Sequence, residues 1–122
     1  MRKIITVALA SAFIAPFAAH AGEWSGTLVD TRCMAMDASN TGNDHGGGAK
    51  KGCAAACANM GIPVAVLVGD KMHVIAAPSA KFAKYMGKPI KVFGEEISGT
   101  PGLILPKKVE VDGQEIDVGG MM

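Results

Sequence analysis

Val64-Ala65-Val66-Leu67-Val68-Gly69-Asp70-Lys71-Met72-His73-Val74-Ile75-Ala76 is the stretch that sets the fold class. Two apolar runs, 64–68 and 72–76, are rich in Val and Ile and short enough to be strands. Gly69-Asp70-Lys71 between them reads as a tight hairpin turn. Immediately upstream, 52–60 is rich in alanine (Ala54, Ala55, Ala56, Ala58) and is predicted to be a short helix. Gly61 stands where a left-handed C-terminal cap belongs, and Pro63 prevents continuation. Further upstream, 24–29 has β character and leads to Asp30. Downstream, Ser79 can cap a second helix reaching about Met86, ended by Gly87 and Pro89. A strand follows at 90–93, with Gly94 as a bulge or bend. Val109 and Val111 alternate with polar residues, as do Ile116 and Val118, and Asp112-Gly113 between them is a hairpin signal. The order is strand, loop, helix, two strands, helix, strand, hairpin. It predicts a mainly β fold with short helices, a small OB-like barrel of five or six strands. The alternative is an α+β open sheet with helices on one face.

The N-terminus has the three parts of an export leader. Arg2 and Lys3 are basic, 4–17 is an uncharged apolar run, and Ala19-His20-Ala21 has the small-x-small pattern that signal peptidase accepts. The run is shorter than the roughly 20 residues that span a bilayer, and Pro16 interrupts it. A cut is predicted between Ala21 and Gly22, giving a periplasmic or secreted protein with no membrane span after cleavage. Residues 1–21 are then the signal peptide and 22–122 a single small β-rich domain, with a flexible tail at Gly119-Gly120-Met121-Met122. The full chain carries a net charge of +1, and losing Arg2 and Lys3 leaves ten basic residues against eleven acidic ones. No basic block stands out, which argues against a nucleic-acid footprint. Beyond the leader the aromatic residues are Trp24, Phe82, Tyr85 and Phe93, so the core must come from Val, Ile, Leu, Ala and Met.

Three cysteines remain after the leader, at 33, 53 and 57. An odd number in an oxidising compartment leaves one thiol over after any single disulfide. Cys53 and Cys57 are four apart and share a helix face. Parallel side chains on an intact helix rarely have disulfide geometry, but they can point at one ion. Between Cys33 and this pair lies a polar loop, 37–51, with His45 and Gly46-Gly47-Gly48. A loop of that length in a compact domain is usually functional or mobile. Met34, Met36 and Met60 flank the cysteines. Thiolate, imidazole and thioether together suit Cu(I), and without the thioethers they suit zinc. The candidate ligands are therefore Cys33, Cys53 and Cys57, with His45, Met36 and Met60 as candidate fourth ligands. The competing reading is a structural disulfide from Cys33 to Cys53 or Cys57, which would close a loop of about 20 residues and stabilise by roughly 3 kcal/mol. A histidine in a Gly-rich loop is more often solvated than ligating, and His73 reads as a surface or edge residue. Asp30 could cap a turn or tune the Cys33 thiol. The run Asp37-x-Ser39-x-Thr41-Gly42 lacks the acidic twelfth position of an EF-hand, where Gly48 stands instead. No nucleophile triad, carboxylate pair or phosphate-cradling motif is present. The chain reads as a binding module rather than an enzyme, a monomer whose partner is a metal ion or another periplasmic protein. The module takes either a soft metal, copper before zinc, or a protein or small ligand on a disulfide-stapled barrel.

The runs Gly26-Thr27-Leu28-Val29-Asp30-Thr31-Arg32-Cys33, Cys53-x3-Cys57 and Tyr85-Met86-Gly87-Lys88-Pro89-Ile90-Lys91-Val92-Phe93-Gly94 resemble those of small exported bacterial OB-like barrel domains of uncharacterised function. Those domains open with G-x-L-x-D-x-x-C, carry a later cysteine pair, and contain a Y-x-G-K-x-V-x-V-x-G strand. The resemblance covers most of the chain after the leader. It implies a barrel and an assembled cysteine site, and supplies no catalytic residue.

Overall fold

The computed structural model describes residues 21–97 and 102–118. Residues 1–20, which hold all but the last residue of the expected signal peptide, and 119–122, the expected flexible tail, lie outside the described residues. Among the described residues six strands follow in order: β1 (Ala21–Asp30), β2 (Val64–Val68), β3 (Lys71–Ile75), β4 (Pro89–Glu96), β5 (Leu103–Val111) and β6 (Gln114–Ile116). The long first strand is the hub. It pairs antiparallel with β2 through its C-terminal half (Thr27 opposite Leu67, Asp30 opposite Val64) and with β4 through its N-terminal half. The hairpin of β2 and β3 extends one side, and β5 pairs with β4 on the other. A short parallel contact, Val74 opposite Leu103 and Ile75 opposite Ile104, joins β3 to β5 and closes the sheet. The result is a closed five-stranded barrel in the order β1-β2-β3-β5-β4, with β6 added as a hairpin on β5. This is the OB-like architecture that the sequence predicts. The β3–β5 closure removes the free edges of an open sheet, so the α+β alternative is set aside.

Two helices, α1 (Thr31–Met36) and α2 (Cys53–Asn59), lie between β1 and β2. A 3-10 helix, Ser79–Tyr85, crosses from β3 to β4 and packs against α2. Gly61 takes the expected left-handed conformation, and Asp112 and Gly113 both have positive φ, as a tight hairpin turn of this kind requires. The pairing of β4 with β5 shifts register between Phe93 and Gly94, so the expected bulge is present. Ser79 does not cap its helix. Pro78 occupies the cap position with no side-chain bond, and Ser79 is buried one residue inside.

The core is aliphatic, as the scarcity of aromatics dictates. Leu28, Val64, Val66, Ile90, Val92, Ile104, Val109 and Val111 are buried around Phe82, the one fully buried aromatic side chain among the described residues. Phe82 is the residue by which the 3-10 helix enters this core. Replacing it by alanine should cost about 3–5 kcal/mol, a large part of the about 5–15 kcal/mol typical of a domain. Chemical denaturation should show a markedly lower midpoint for Phe82→Ala. An unchanged midpoint would mean that this side chain is not part of the folded core.

A second, smaller cluster positions the functional site. Val29 points away from Leu28, as neighbours on a strand must, and packs with Met34 of α1 and Ala65 of β2 on the opposite face of the sheet. Met34 thus pins the short helix α1 to the barrel wall.

Candidate metal centre

β1 ends on Asp30, which is almost wholly buried. Its Oδ1 accepts a hydrogen bond of 2.9 Å from the backbone N–H of Arg32, so Asp30 is the N-cap of α1. Thr31 ties the same corner to the segment after α2. Its hydroxyl donates to the Pro63 carbonyl at 2.7 Å, and its N–H donates to the same oxygen at 3.2 Å. The start of α1 and the end of α2 are thereby fastened together, and Cys33 is brought to the cysteine-bearing face of α2. The Sγ atoms of Cys33, Cys53 and Cys57 all lie within 4.8 Å of one another. All three are free thiols, with Cys57 buried and the other two partly buried.

The loop between the helices is not loose. His45 and Lys50 exchange backbone hydrogen bonds of 2.9 and 3.0 Å, a small hairpin around Gly46, Gly47 and Gly48. Asn43 and Asp44 stitch the loop to the exposed N–H groups at the start of α2. The Asn43 carbonyl accepts from Ala54 N–H at 3.0 Å, Asn43 Oδ1 accepts from Ala55 N–H at 3.0 Å, and Asp44 Oδ1 accepts from Gly52 N–H at 2.7 Å. Asn40 donates to the Cys33 carbonyl at 3.1 Å. These bonds give the loop a defined path between the two helices.

That path buries His45, which is 3% exposed, against the expectation of a solvated loop histidine. A ring nitrogen of His45, a carboxylate oxygen of Asp30 and Cys33 Sγ form a second group within 4.8 Å. Asp30 thus fills both roles the sequence allowed, capping α1 and facing the thiol. The signal for its membership was its place three residues before Cys33. Met36 and Met60 are 77% and 68% exposed, so both thioethers stand at the surface, while Met34 is taken up in the packing of α1. His73 is half-buried in β3, its ring centroid 6.1 Å from that of Trp24, which makes it neither fully surface nor part of the cysteine cluster. A cleft of about 740 Å³ between α2, the 3-10 helix and β6 is lined by Ala55, Lys84, Tyr85 and Glu115, and holds none of the cysteines.

Burial is the main cause of the shifted thiols. It pushes Cys33 up to about 12, with the facing Asp30 carboxylate adding to the effect. Cys57 is raised by the same two causes in the same order. Both are therefore protonated at neutral pH, and a metal must displace their protons. Affinity for a thiolate-binding ion should rise steadily with pH from about 6 to 9, with protons released on loading. Titration in weakly and strongly buffered solution would count them, and a pH-independent affinity would exclude thiolate ligation. The sign for folding is opposite. A raised thiol pKa stabilises the metal-free fold below the unfolded value of 9.0 and loses that contribution as pH rises towards about 12.

Three thiols, one carboxylate and one imidazole thus converge where β1, α1, α2 and the loop meet, and they can hold a metal ion. No family model matches this chain. No curated protein and no solved structure matches it either. Among the described residues no helix is long and apolar enough to cross a membrane.

Proposed function

We propose that this protein is an exported soft-metal module that binds Cu(I) through Cys33, Cys53 and Cys57 and stores it or hands it on. The observation that carries this reading is the convergence of three sulfur atoms from two separate helices. Soft thiolates favour Cu(I), for which three sulfur donors form a sufficient set, whereas a structural zinc site wants four. The leader-like N-terminus supports a periplasmic or secreted location after cleavage between Ala21 and Gly22. The resemblance to small exported OB-like domains agrees with it. The protein works as a monomer in this reading, receiving the ion from solution or from another periplasmic protein.

The test is an anaerobic titration of reduced protein against a chromophoric Cu(I) chelator. One Cu(I) per chain with submicromolar affinity supports the proposal, and failure to compete with the chelator ends it. The same sulfur proximity favours one other reading, a disulfide between Cys33 and Cys53 or Cys57 in a metal-free interaction module. Mass spectrometry of the native protein separates the two. Metal-retaining protein whose three thiols become alkylatable only once the metal is removed supports the copper site, and a stable mass deficit of one disulfide supports the staple.

A further inference from the structure

Cys33 belongs to two donor sets, and the second differs chemically from the first. One set is all sulfur: Cys33, Cys53 and Cys57. The other is Asp30, Cys33 and His45, an oxygen, a sulfur and a nitrogen within 4.8 Å of one another. Two features of the second set point to a ligand. His45 Nε2 lies 3.0 Å from the Gly42 carbonyl, which can only accept, so Nε2 carries the proton and Nδ1 keeps its lone pair. That Nδ1 is buried and has no hydrogen-bond partner. Asp30 Oδ1 is occupied by the Arg32 N–H, while Oδ2 is buried and also has no partner. Two unpartnered acceptors, on side chains 3% and 1% exposed, would each cost free energy if nothing ever met them. A backbone carbonyl that fixes the tautomer of a histidine is also the usual outer partner of a metal-binding imidazole.

We propose that Asp30, Cys33 and His45 form a second ligand set that takes a borderline divalent cation of the zinc type, in competition with Cu(I) for the shared Cys33 sulfur. Oxygen and nitrogen donors beside a single thiolate match Zn(II) and Co(II), not Cu(I). Binding replaces the Cys33 thiol proton by the metal and leaves the Nε2–H bond to Gly42 in place. The chain would thus sort two ions by which side of Cys33 they occupy. The inference rests on the metal reading of the same cluster, but concerns a different ion and two further side chains.

The experiment uses Co(II) as the probe, added to reduced protein under anaerobic conditions, with Cu(I) uptake measured separately on the same wild-type preparation. Tetrahedral d–d bands with the charge-transfer intensity of one thiolate are expected. They should persist in Cys53→Ser/Cys57→Ser, and weaken at least about tenfold in apparent affinity in His45→Ala and Asp30→Asn. The asparagine keeps the Oδ1 acceptor that caps α1, and circular dichroism confirms that each variant is folded. Should His45→Ala fail to fold, the double cysteine variant decides alone. Absence of cobalt bands, their loss in Cys53→Ser/Cys57→Ser, or their retention in folded His45→Ala each overturns the inference. A wild type that takes Co(II) as described but no Cu(I) would leave the second set standing and remove the copper proposal. The converse would do the reverse.

Discussion

Cys57→Ser is expected to lower Cu(I) affinity by more than about a hundredfold, because outer partners of a metal ligand alone are worth about 10–100-fold and the proposed copper site makes Cys57 a ligand itself. Cys33→Ser and Cys53→Ser should behave alike, since the three sulfurs lie in one group within 4.8 Å of one another. The change removes a single sulfur atom from a buried position, so the metal-free fold should survive it. The thermal shift on adding Cu(I) then becomes a second readout. Saturation at about 1,000 times Kd stabilises a protein by about 4 kcal/mol, and this stabilisation should vanish in the serine variants. Met36→Leu and Met60→Leu are the controls. Both residues stand at the surface, and both variants should bind within about twofold of the wild type, within the small effects expected of surface changes. Loss of binding in either would bring a surface thioether into the site. Unaltered binding in Cys57→Ser would remove the copper proposal.

Gly26→Ala should be the most damaging small substitution in the barrel. A Cβ on Gly26 in β1 would collide with the carbonyl oxygen of Leu67 in β2, and one on Gly94 in β4 with the carbonyl oxygen of Leu105 in β5. Both obstacles are backbone, which cannot swing aside as the end of a flexible side chain can. Overpacking usually costs about 1–3 kcal/mol, and a clash with backbone inside a closed barrel should lie at or above the top of that range. Gly42→Ala is the matched control. Its Cβ would meet the Asp44 carbonyl at an ordinary 3.6 Å, and its backbone is not left-handed. Urea denaturation should show a much lower midpoint for Gly26→Ala and near-native behaviour for Gly42→Ala. Equal midpoints would mean that β1 and β2 do not approach as closely as described.

The barrel was legible where local chemistry and final pairing agree. The Val-rich 64–68 run, the Gly69-Asp70 turn, the Asp112-Gly113 turn and the Gly94 bulge each announce themselves within a few residues. The closing strand did not. Leu103, Ile104 and Leu105 sit beside Pro106, and a proline normally argues against a paired strand. Here Pro106 lies opposite Gly94 at the register shift, where an N–H is not needed, so β5 runs through it. Helix α1 was also missed. Its six residues carry too little periodicity, and Asp30 and the contact of Met34 with Val29 hold it in place.

The same division runs through the site. The four-residue spacing of Cys53 and Cys57 shows that they share a face, and an odd cysteine count draws Cys33 in. The inclusion of Asp30 and His45 follows from long-range bonds that no local pattern reports. Thr31 reaches Pro63, and Asn43 and Asp44 reach the start of α2, so the glycine-rich loop folds back and buries an imidazole that composition alone assigns to solvent.

X-ray absorption at the copper K-edge of the Cu(I)-loaded, reduced protein tests the central claim most directly. The account predicts an inner shell of three sulfur scatterers and no light-atom ligand, collapsing to two sulfurs or fewer in Cys57→Ser. An inner shell dominated by nitrogen or oxygen in the wild type, or one unchanged by that substitution, would contradict it.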